Sequence, residues 1–142
     1  MKKIGYLGLV LLAACAGLGM GSLGLENEIK QPEPDQNYTV LLVDQSDVSM
    51  SLEQFSCEGQ TYLIGRMGRA DLSVDFSKIE RVDFFSEGDQ VRAEVALKDG
   101  RRVALHLKKG TPCYGVAPFA DVRIAVEDIK TVVVHGQKEP VE

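Results

Sequence analysis

From Thr39 to Val134 apolar and polar residues alternate with a period of two. Successive side chains of a strand point to opposite faces, so this spacing predicts half-buried β-strands. The clearest stretch is VRAEVALKDGRRVALHLKK, residues 91–109. Val91, Ala93, Val95 and Leu97 share one face, against Arg92, Glu94 and Lys98 on the other. After Asp99-Gly100 the pattern resumes with Val103, Leu105 and Leu107 against His106 and Lys108. Asp-Gly between two alternating runs is a strong hairpin signal, because glycine takes a positive φ at no steric cost. Thr39 to Val43, the polar Asp44-Gln45-Ser46-Asp47 and then Val48, Met50 and Leu52 predict another hairpin. Residues 60–66 add a strand, and Glu53 to Glu58 has room for a single helical turn. No segment after residue 38 carries an apolar stripe of helical length.

The pattern also repeats. GRMGRADLSVDFSKIERVDF, from Gly65, aligns without a gap with GVAPFADVRIAVEDIKTVVV, from Gly115. Leu72, Val74, Phe76, Ile79, Val82 and Phe84 meet Val122, Ile124, Val126, Ile129, Val132 and Val134. Gly65 meets Gly115, and Ala70-Asp71 meets Ala120-Asp121. Each copy reads as a strand, a short polar break of the size of one 3₁₀ turn, and a second strand. With no helix to cover it, an apolar sheet face packs on another sheet or on its own curled continuation. The expectation is all-β: a small sandwich or partly closed barrel from two internally repeated units, about 38–85 and 89–134.

The flanks differ in character. Lys2 and Lys3 precede an uncharged run from Ile4 to Leu25, the composition of an export signal or membrane anchor. Residues 1–25 are therefore set apart from the fold. Residues 26–37 read as a flexible linker with Pro32 and Pro34, 38–134 as the β domain, and 135–142 as a polar tail. Within the leader, Leu12-Ala13-Ala14-Cys15 resembles the lipobox of bacterial lipoproteins. That resemblance covers the leader alone and implies lipidation of Cys15, which would become the mature N-terminus. Two alternatives stay open: a transmembrane helix, for which about 20 apolar residues suffice, or a later cleavage that releases a soluble product. Lipidation and the transmembrane helix both leave the domain exported and tethered to the membrane of a bacterial envelope, facing the periplasm or exterior.

Export changes the reading of the cysteines. With Cys15 lipidated, Cys57 and Cys113 are left as a pair in an oxidising compartment, where a disulfide is expected. The formal net charge is -5, and positive residues are scattered among acidic ones. No basic stripe suited to a phosphate backbone results, so nucleic acid is not an expected partner.

Candidate chemistry is sparse. No residues are assigned as catalytic, metal-binding or cofactor-binding: His106 and His135 lack ligand spacing, and Asp44, Asp47, Glu53 and Glu58 lack the order of a calcium loop. Asp71 and Asp121 recur at strand starts and are the only paired carboxylates that suggest acid–base work. With no Trp, four Tyr and five Phe, a sugar-stacking cleft is poorly supplied. Arg66 and Arg69 in GRMGR, and Tyr114 with Phe119 in the matching segment, mark possible binding loops. The expected function is a non-catalytic binding or structural module of the cell envelope. Its expected partner is another envelope protein. The alternatives are a carrier with an internal cavity for a small apolar ligand, and a carbohydrate-acting enzyme using Asp71 and Asp121. Oligomeric state stays open.

Overall fold

The computed structural model describes residues 29 and 31–138. The chain forms β1 (Asn37–Asp44), β2 (Ser49–Cys57), β3 (Tyr62–Met67), β4 (Ala70–Asp75) and β5 (Ile79–Glu87). It continues through β6 (Gln90–Leu97), β7 (Arg102–Lys108), β8 (Pro112–Ala117), β9 (Ala120–Ala125) and β10 (Ile129–Lys138). Short 3₁₀ turns at Phe76–Lys78 and Val126–Asp128 separate β4 from β5 and β9 from β10. All ten strands join one antiparallel sheet, curled as a half-barrel, in the order β4-β3-β7-β6-β5-β10-β1-β2-β8-β9. One continuous sheet replaces the sandwich alternative, because the apolar face curls onto itself.

The order has a simple property: exchanging β1–β5 for β6–β10 reverses it. β3 consequently pairs with β7 and β8 with β2, so the hairpin formed by the third and fourth strands of each five-strand run is joined to the other run. At the centre, β5 and β10 pair through Val82 and Val132, with Arg81 opposite Val133 and Asp83 opposite Thr131.

The two long hairpins turn alike. Gly100 N–H donates to the Leu97 carbonyl at 3.0 Å, and Asp47 N–H donates to the Asp44 carbonyl at 3.0 Å. Gly100 and Asp47 have φ of 95° and 64°, the left-handed residue that closes a three-residue hairpin loop with a bulge. The Asp44 carboxylate accepts from the amides of Ser46 and Val48, both at 2.9 Å, which pins the first turn in place.

Alternation becomes burial as expected. Val91, Ala93, Val95 and Leu105 are fully buried, as are Val40, Leu42 and Leu52. The 3₁₀ turns each send one apolar residue, Phe76 or Val126, into the same core. Phe76 packs against Tyr38 and Phe55 with ring centroids 5.6 Å apart in both pairs. Leu72, Val74, Val122 and Ile124 of the edge strands are partly buried against this cluster.

Gly65 and Gly115 occupy matching positions of close approach. A Cβ on Gly65 would lie 2.8 Å from Leu105 Cβ, and one on Gly115 would lie 2.8 Å from Leu52 Cβ. Each leucine belongs to the other five-strand run. A bare backbone at both places lets the exchanged strands pack.

Three boundaries move. The helical turn expected over Glu53 to Glu58 is absent: β2 continues to Cys57 through a bulge, with Gln54 at φ 53°. Glu58 and Gly59, with φ 55° and 79°, then make a two-residue turn that closes on a Cys57–Gln60 bridge. The polar tail begins later than expected, because β10 runs on to Lys138 opposite Asn37. The linker expected over 26–37 already engages the domain before Tyr38. Gln31 Nε2 donates to the Gly115 carbonyl at 2.9 Å, and Asn37 Oδ1 accepts from Gln54 N–H at 2.7 Å.

Candidate functional site

The outward side chains divide into two unlike areas. On β5, β6, β7 and β3 they include Arg81, Asp83, Arg92, Glu94, Arg102, His106 and Arg66. Arg92 lies 3.0 Å from Glu87 and 2.7 Å from Glu94, with its guanidinium 4.6 Å from the centroid of the Phe85 ring. His106 Nε2 is 3.5 Å from Glu87. Arg81 reaches Asp83 at 3.0 Å, and Thr131 donates to the same carboxylate at 2.9 Å. These groups answer one another along the surface.

On β10, β1, β2 and β8 the corresponding outward positions carry little charge. Thr131, Val133, Thr39, Leu41, Val43 and Val116 are half-buried, and Ser49 and Ser51 are exposed. Leu41 stands directly opposite Val133 on one side and Ser51 on the other. A shallow groove of about 380 Å³ lies here, lined by Thr39, Ser51, Leu52, Glu53, Val116, Ala117 and Pro118. Phe119 follows Pro118 in the two-residue turn between β8 and β9 and is 79% exposed, the most exposed of the large apolar side chains described. Leaving a phenylalanine in water forgoes roughly 1.5–3 kcal/mol of burial. A protein surface tolerates single exposed apolar groups, but this one adjoins a groove whose lining carries a single charged side chain, Glu53.

The sequence-derived residues are scattered over the fold. Arg66 and Arg69 sit at the end of the β3–β4 hairpin. Arg66 is held locally, donating to the Arg69 carbonyl at 3.3 Å and lying 3.5 Å from Asp71. Tyr114 is half-buried on β8, opposite Ser56 and Arg123, in the fourth ladder pair from the turn that holds Phe119. Asp71 and Asp121 are both exposed, and they lie on β4 and β9, the two edges of the sheet. The strand order does not bring them together. Cys15 lies outside the described residues. Cys57 and Cys113 stand opposite each other on β2 and β8 and form a disulfide, which fastens a strand of one run to a strand of the other. The groove and the neutral area escape sequence reading, because alternation assigns faces to residues without saying which strands become neighbours.

Charged groups near the core have identifiable tasks. The Asp75 carboxylate accepts from Ser77 N–H at 2.9 Å and caps the first 3₁₀ turn, and that amide holds its carboxyl below the usual range. The second turn has Ala125 at this position and no side-chain cap. Glu127 instead accepts from Gly110 N–H at 2.8 Å, which lowers its carboxyl likewise. Burial, followed by the nearby Asp75 charge, pushes the Tyr38 phenol up. None of these groups opens into a groove with a reactive neighbour. Among the described residues, no helix is long and apolar enough to cross a membrane.

No solved structure matches the chain. A protein of Aquifex aeolicus (strain VF5), described as "Uncharacterized protein", is 24% identical over 109 residues. That likeness covers 75% of this chain and 83% of the relative. A family described as "Uncharacterised protein" matches residues 34–137, a span that takes in nearly the whole sheet, and the chain belongs to this family.

Proposed function

We propose that the protein is a non-catalytic binding or structural module of the bacterial cell envelope, exported and held at the membrane by its N-terminal segment. The observation that carries the binding part is Phe119, 79% exposed beside the shallow groove. An aromatic anchor that a partner can desolvate is the kind of feature on which protein interfaces concentrate their energy. The partner is accordingly another envelope protein that covers Phe119 and the outward face of β1, β2 and β8. The leader with Lys2, Lys3 and Cys15 supports export, and the Cys57–Cys113 disulfide is in keeping with an oxidising compartment. The reading also includes descent from a duplicated five-strand unit, supported by the Gly65/Gly115 correspondence and the reversible strand order. One half then keeps a charged outer face while the other has become neutral. A carrier of an apolar ligand has less support, since Tyr38, Phe55 and Phe76 pack one another within the core.

The test compares the parent chain with Phe119→Ala in capture from envelope extract, beside fractionation of the parent and of Cys15→Ser. The reading expects the chain in the membrane fraction, release or mislocalisation of Cys15→Ser, and a partner retained by the parent and lost with Phe119→Ala. Recovery of the parent in the cytosol, or capture indifferent to Phe119, overturns it.

A further inference from the structure

The two edges of the sheet are chemically different. Strand β9 ends one side, and among the described residues no backbone group pairs with its outer edge. Ala117 and Ala120 flank a two-residue turn and share its ladder hydrogen bonds. Alternation then turns the amides and carbonyls of Asp121, Arg123 and Ala125 toward the free edge. The Pro112 carbonyl agrees with this phase: opposite Ala125, it points the other way and accepts from Glu58 N–H at 2.8 Å.

Along that edge, Asp121 and Arg123 are exposed on the outer face, and neither has an ion pair among the described residues. Ala120, Val122 and Ile124 face inward, the last two only partly covered. The geometry points to a second copy of this chain as the partner of the edge, joined antiparallel about Val122. In that register each Asp121 meets the partner's Arg123, and each Arg123 meets the partner's Asp121. Both are hydrogen-bonding positions, so both ladder requirements and both charges are satisfied together. Val122 meets the partner's Val122, and Ile124 meets the partner's Ala120, extending the apolar face. A shift of one ladder step in either direction opposes two arginines or two aspartates, which like-charge repulsion disfavours. The charges thus select one register.

Strand β4, at the opposite edge, cannot pair with itself in this way. Its outward side chains are Asp71, Ser73 and Asp75. Arg66 of the same chain already approaches Asp71, and Asp75 caps a turn. No self-pairing of β4 sets a cationic side chain of that strand opposite these carboxylates. Acidic edges of this kind discourage strand addition, so a pair of chains closes through β9 rather than growing into a filament.

The interface rests on one edge strand, independently of where the chain resides. Its test uses the full chain with Val122→Cys. A non-hydrogen-bonded antiparallel pair holds Cα atoms about 4.5 Å apart, within disulfide reach, so mild oxidation joins two chains. The parent, which retains Cys15, and Leu72→Cys on β4 serve as controls. Adding Arg123→Asp to Val122→Cys lowers the cross-linked yield at least tenfold, and exchanging both charges (Asp121→Arg with Arg123→Asp) restores it. An unchanged circular dichroism spectrum shows that each variant folds. Absence of a cross-link in the Val122→Cys chain, equal cross-linking through Leu72→Cys, or a yield indifferent to the charge variants overturns the proposal.

Discussion

Val82 and Val132 stand directly opposite each other where β5 meets β10, at equivalent places in the two aligned segments. From this pair outward, each strand on one side has a counterpart on the other. β3 lies on β7 and β8 on β2, so each five-strand run places its β3–β4 or β8–β9 hairpin on the other. The shared core follows from that exchange. Leu52 of the first run closes over Gly115 of the second, and Leu105 over Gly65.

Replacement of either glycine by alanine is expected to destabilise the protein. The added Cβ would meet a leucine Cβ at 2.8 Å, an atom too near the backbone to swing aside. Overpacking of this kind costs about 1–3 kcal/mol. Urea unfolding of Gly65→Ala and Gly115→Ala should show losses in that range for both. A loss in neither would mean that the strands do not approach as described.

The Cys57–Cys113 bridge, with a sequence separation of 56, joins strands from different runs. Chain-entropy reasoning assigns such a loop about 4 kcal/mol. Cys57→Ser with Cys113→Ser, measured by urea unfolding against the oxidised parent, is expected to lose an amount of this order. Equal stability of the two would argue that the bridge restrains little in the unfolded chain.

Asp75 and Glu127 supply a pH dependence whose sign is fixed. Both carboxyls are held below their usual range by amides that they bind only in the folded chain. Stability from each is therefore present above the unfolded-state value and is lost as pH falls through the lower folded-state value. At neutral pH, Asp75→Ala should cost about 1 kcal/mol, as for other lost caps. The difference from the parent should shrink as the solution is acidified below the ordinary carboxylate range. A difference constant with pH would remove Asp75 from the capping role.

Phe119→Ala should leave unfolding unchanged within about 0.5 kcal/mol, since surface substitutions away from packing features have small effects. A larger loss would place Phe119 in the support of the hairpin and weaken its reading as an anchor for a partner.

Much of the fold was legible because local signals agreed. Asp99-Gly100 marked a hairpin, the alternation of Val91, Ala93 and Val95 marked its buried face, and the polar breaks marked both 3₁₀ turns. Gly65 and Gly115 stood out in the alignment, although their reason, the approach of Leu105 and Leu52, required the tertiary structure. The stretch from Glu53 to Glu58 misled because Gln54 and Glu58 adopt positive φ without glycine or asparagine to announce it. The candidate site was less accessible still. A period of two says that Leu41, Val116 and Ser51 face outward, yet nothing in it makes β8 the neighbour of β2. Phe119 was visible as a loop aromatic, whereas the groove beside it depends on that neighbourhood.

The exchange of strands is tested most directly by dividing the chain between β5 and β6, at Gly88-Asp89, and following each piece by circular dichroism. Alone, residues 31–88 and 89–138 should lack the β spectrum of the parent, because each has lost the strand on which its last hairpin pairs. Mixed in equal amounts, they should recover it. Independent folding of either piece to a stable sheet would contradict the interleaved core.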